Sequence, residues 1–97
     1  MQLYTVKNIK TARQLGLTVA WITEERAILK RDETTLNSII ESLQHNTSEI
    51  DTLISKIRDN LSKRQAAYTA GDWSDYIALR ASELELFEEL DWLMANL

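Results

Sequence analysis

The sequence predicts an all-α protein: a long helix and a C-terminal helix in an antiparallel hairpin, with an N-terminal helical segment, assembling as an oligomeric helical bundle or coiled coil. Three observations predict it. Leu15, Ile22, Leu29, Leu36, Leu43, Ile50 and Ile57 recur every seven residues, which is almost two helical turns. Proline is absent and the only glycines are Gly16 and Gly71, so few points force a helix to end. The last 25 residues hold more apolar surface than one neighbouring helix can cover.

The chain reads as a single domain over residues 1–97, with an N-terminal segment at 1–16. From Leu36 to Tyr68 the seam alternates steps of four and three through Ile40, Leu43, Thr47, Ile50, Ile54, Ile57, Leu61 and Arg64. Thr47 enters as a polar interruption. Ile39, Leu53 and Ala67 widen the strip beyond a two-stranded zipper and favour a bundle. Arg26 and Glu33 fall on the same seam upstream. The unbroken phase predicts one helix over residues 17–70. The alternative is a break at 31–35, capped by Thr34 or Thr35, giving helices near 8–31, 35–70 and 72–96.

Thr69-Ala70-Gly71-Asp72 ends that helix. Gly71 supplies the left-handed conformation that closes a C-terminus, Asp72 caps the next helix, and Asp75 adds a favourable negative charge in its first turn. The last helix, 72–96, places Leu79, Leu86, Leu90, Leu93 and Leu97 on one side. Trp73, Ile77, Leu84 and Phe87 lie on the adjacent side, with Tyr76 and Met94 between. Arg80, Glu83 and Asp91 fall inside this arc and need partners. Arg80 with Glu83 and Arg64 with Asp75 are the pairs that spacing suggests. Two neighbours must cover this helix, and one is expected from another subunit. The expected oligomer and partner interface is therefore Leu36, Ile40, Leu43, Ile50, Ile54, Ile57, Leu61, Leu86, Leu90 and Leu93. Trp92 projects to the far side from the leucines, where an exposed tryptophan reads as a binding anchor.

Charge narrows the functions. Eleven basic against fifteen acidic side chains give a net charge of −4, which disfavours a chain-wide nucleic-acid surface. Residues 1–31 hold six basic and two acidic side chains, and residues 32–97 five and thirteen; this asymmetry favours head-to-tail attraction between subunits. Cysteine is absent, which removes disulfides and thiolate chemistry. No apolar run approaches the ~20 residues of a membrane span, and a cytoplasmic location is expected.

The segment from Asn8 to Ile22 resembles a helix-turn-helix. Ala12, Gly16 and Ile22 match the small, turn and core positions of that DNA-binding unit, so the resemblance implies DNA reading by residues 8–27. Two glutamates, Glu24 and Glu25, would then face phosphate. Tyr4, Lys7, Lys10 and Arg13 form a basic, aromatic cluster suited to a nucleic acid or a small anion such as a nucleotide. Glu41, His45 and Glu49 share helical spacing, but the register sends His45 to solvent, so no metal site is assigned. No nucleophile triad, phosphate loop or zinc motif is present, and no cofactor is expected. The sequence therefore reads as a non-enzymatic interaction protein, acting as adaptor, inhibitor or chaperone on itself and a protein partner. DNA regulation and anion binding are the alternatives.

Overall fold

The computed structural model describes residues 12–43 and 47–96, and every regular element among these is a helix. After a helical turn at residues 12–14 come α1 (Val19–Ser42), α2 (Ser48–Ala70) and α3 (Trp73–Ala95).

Both glycines end helices in the same way. Gly71 sits at φ 76° and Gly16 at φ 75°, the left-handed region that only glycine enters without penalty. Gly71 N–H donates to the Tyr68 carbonyl and Asp72 N–H to the Ala67 carbonyl. Gly16 N–H donates to Arg13 and Leu17 N–H to Ala12. This paired pattern satisfies carbonyls that the finished helix would otherwise orphan. Thr18 then starts α1 by accepting from Trp21 N–H at 3.1 Å. Asp72 occupies the N-cap position of α3, but its side chain makes no capping bond; its carbonyl accepts from Tyr76 N–H instead.

The expectation of one helix over residues 17–70 does not hold, and neither does a break at 31–35. Thr34 lies inside α1, where its hydroxyl donates to the Lys30 carbonyl. α1 stops at Ser42, with Leu43 extended at φ −71°, ψ 121°. Thr47, read as a polar interruption of a seam, is the N-cap of α2: its side chain accepts from Ile50 N–H, and Glu49 and Asp51 follow in the first turn. Leu43 and Ile50 remain seven positions apart across the break, so their spacing carried no information about helical continuity.

The core has two apolar parts. One gathers Leu36, Ile50, Leu53, Ile54, Ile57, Leu61 and Leu90, with Leu86, Phe87, Leu93 and Met94 packed on it. The other, around the Gly71 turn, gathers Ala12, Ile22, Ala67, Tyr68, Trp73 and Tyr76. Here Trp21, Tyr68, Trp73 and Tyr76 meet edge to face at centroid distances of 5.2–5.8 Å, the geometry that sets positive ring edges against negative faces. α3 thus meets both α2 and α1 of its own chain, which bury Leu90 and partly bury Leu79, Leu86 and Leu93, while Leu84 stays exposed.

Candidate interaction surface and buried charge cluster

Between the two apolar clusters lies a polar layer centred on Arg64, which is fully buried. Its Nη1 pairs with Asp32 Oδ2 at 3.0 Å and also with Glu83. Its Nη2 donates to the Tyr76 hydroxyl at 3.1 Å. That hydroxyl in turn donates to Glu25 Oε1 at 3.0 Å, and Glu25 pairs with Arg80. Tyr68 donates to the Ile22 carbonyl at 2.8 Å. All three helices are tied together through these bonds. Burial pushes the Tyr76 phenol up to about 12; Arg64 opposes the shift and Glu25 adds to it. Tyr76 is therefore a neutral donor and acceptor at ordinary pH.

The partners suggested by spacing are replaced. Arg64 meets Asp32 and Glu83 rather than Asp75, and Arg80 meets Glu25 rather than Glu83. The reason is the facing of α1. Ile22, Glu25 and Leu36 are buried and Asp32 is half-buried, while Arg26 and Glu33 are exposed. The inner face of α1 thus keeps Ile22, Leu29 and Leu36 of the heptad seam but takes Glu25 and Asp32 in place of Arg26 and Glu33, which supplies the carboxylates that Arg64 and Arg80 need. A buried arginine at a seam position was the sequence signal that such acids had to exist.

The expected interface residues are placed mostly inside the chain. Leu36, Ile50, Ile54, Ile57, Leu61 and Leu90 are buried in its own core, and Ile40, Leu43, Leu86 and Leu93 are partly buried against that core. The first six are enclosed by the chain's own helices, while the last four keep part of their surface open. The apolar surface left over lies elsewhere. Ile77 is 43 %, Leu84 57 % and Trp92 64 % exposed. With the exposed Ala81 and Glu88 they recur along α3 at steps of four, three, four and four, so they share one face, opposite Tyr76, Glu83 and Leu90. Glu85 and Asp91 flank this ridge and are exposed. Leu15 and Val19 form a smaller exposed apolar pair beside the Gly16 turn.

Arg13 is exposed. Tyr4, Lys7 and Lys10 of the basic cluster, residues 8–11 of the helix-turn-helix resemblance, His45 and Leu97 lie outside the described residues. Within the described part of that resemblance, Ala12 and Ile22 are buried and Gly16 makes the turn. Glu25 points into the core, while Glu24 stays on the outer surface.

No protein-family model, curated protein or solved structure matches the chain. No helix among the described residues is long and apolar enough to cross a membrane. On its outer face α3 presents a tryptophan and two aliphatics flanked by carboxylates.

Proposed function

We infer that the chain is a non-enzymatic helical interaction protein, an adaptor, inhibitor or chaperone whose docking element is the outer face of α3. The observation that supports this is the Ile77–Leu84–Trp92 ridge, held on a helix whose inner face is fixed by its own core. Exposed large apolar residues scattered singly need no explanation, but an aligned set including tryptophan is the composition of binding hot spots. α2 and α3 act as an antiparallel hairpin that holds this face rigid, which lowers the entropy cost of binding. Association buries the ridge, and its bordering carboxylates select a basic partner surface and set the orientation. Self-association is the form of this activity to test first. A light-scattering dilution series on the wild-type chain should show a mass above the monomer that falls on dilution and is lost in Leu84→Arg. A monomer at every concentration that also shows no shielding of Trp92 with host protein removes the reading.

One observation favours a second reading. The left-handed Gly16 turn between buried Ala12 and Ile22 supplies the three matched positions of a helix-turn-helix. A regulator that reads DNA through residues 8–27 would bind with steep salt dependence; an absence of gel shift at low salt removes it.

A further inference from the structure

A groove runs between α1 and α2, with a cavity volume of about 650 Å3. Partly buried Leu29 lines it over a floor of buried Leu36 and Leu61, and Arg26, Lys30 and Arg58 stand at its edges against the single carboxylate of Glu33. These three cations make no ion pair among the described residues. The groove extends from Arg26 to Asn37 on one helix and from Arg58 to Thr69 on the other. Each is a step of eleven residues, or about 17 Å of helix.

We propose that this groove is the docking site for the outer face of α3 of a second copy of the same chain. The part of the ridge from Ala81 to Trp92 covers the same step of eleven residues, and Ile77 lies one turn beyond it. It presents Leu84 and Trp92 with Glu88 between them and Glu85 and Asp91 at its flanks, while the groove presents partly buried Leu29 over a floor of buried Leu36 and Leu61, with a net positive edge. The carboxylates of the ridge meet the cations of the groove, with Leu84 and Trp92 set over Leu29, an arrangement of charge that fixes register and suppresses wrong partners. Tyr76 on the inner face of α3 bonds both Glu25 of α1 and Arg64 of α2. The open groove between α1 and α2 therefore faces away from α3, and a chain cannot fill its own groove. Ridge and groove are different surfaces, so the contact is heterologous and copies add head to tail. This inference rests on the reading of the α3 face as a docking surface and names its occupant.

The test uses one variant on each surface, both at exposed positions. Leu84→Arg sets a cation against the groove's cations; Arg58→Glu sets a carboxylate against the ridge's carboxylates. Each alone should weaken association by about tenfold or more and leave a helical monomer by light scattering and circular dichroism. An equimolar mixture should recover a one-to-one pair and stop there, because one intact ridge meets one intact groove. Trp92→Lys with Lys30→Glu forms a second complementary pair should either first variant fold poorly. A mixture that stays monomeric overturns the proposal. So does an Arg58→Glu chain that associates as the wild type does while Leu84→Arg does not, although the α3 face would then remain a docking surface with a different occupant.

Discussion

The Arg64 guanidinium of α2 and the Glu83 carboxylate of α3 meet with 0 % and 2 % of their side chains exposed. Taking two charges out of water costs several kcal/mol per ion, and mutual attraction recovers that only while both partners are present. The pair is also imperfectly satisfied: Arg64 Nε and Glu83 Oε1 have no hydrogen-bond partner among the described residues. Removing one member, as Arg64→Met or Glu83→Leu, should therefore cost about 3–5 kcal/mol. Arg64→Met/Glu83→Leu should cost less than the two singles combined. Urea unfolding of the four proteins measures this; additive losses would contradict a coupled pair.

Tyr76 links Arg64 to Glu25, and Tyr76→Phe leaves both with one fewer buried partner, a loss of about 1–3 kcal/mol. Its effect should depend on pH. The phenol is raised from 10.0 to about 12 chiefly by burial, so the folded state holds its proton more tightly than the unfolded one. The stabilisation is fully present below pH 10 and is lost as pH rises through about 12. The stability gap between the wild type and Tyr76→Phe should accordingly narrow across that window. Tyrosinate absorbance should show a late-titrating phenol that Tyr76→Phe removes.

Gly71→Ala and Gly16→Ala each force a side chain into left-handed backbone, at a cost of about 1–2 kcal/mol. A Cβ at Gly16 would meet nothing within 4 Å, so its penalty is conformational alone. Thermal melts of both variants check this, and an unchanged Gly71→Ala protein would contradict the turn geometry.

The break between α1 and α2 depends on Thr47. Thr47→Ala removes the side-chain acceptor for Ile50 N–H and should cost about 1 kcal/mol. Had residues 17–70 formed one helix, the same change would be neutral or stabilising, since alanine is the better helix former.

Helix class, the Gly71 turn and the inner face of α2 were legible in the sequence because each is a local signal. Apolar spacing put Ile50, Leu53, Ile54, Ile57 and Leu61 on one strip, and the structure buries all of them. The Thr47 cap was present too, but a break that leaves Leu43 and Ile50 seven apart imitates a continuous seam. What one strip could not reveal was which surface would cover it. The facing of α1 follows from where Glu25 and Asp32 find Arg80 and Arg64, more than thirty positions away in sequence, and that is a property of the packed molecule. For the same reason Leu36, Leu61 and Leu90, expected at a subunit interface, lie in the chain's own core. Trp92, read from its projection as an exposed anchor, stands on the α3 ridge that is left uncovered.

The core closes within one chain and leaves the α3 ridge uncovered. Leu84→Gln/Trp92→Gln tests it most directly, by equilibrium unfolding at high dilution together with light scattering at high concentration. The account predicts stability within about 0.5 kcal/mol per site of the dilute wild type, as for surface positions, and a monomer where the wild type associates. A loss of several kcal/mol in the dilute protein, or a mass unchanged from the wild type in the concentrated one, would contradict it.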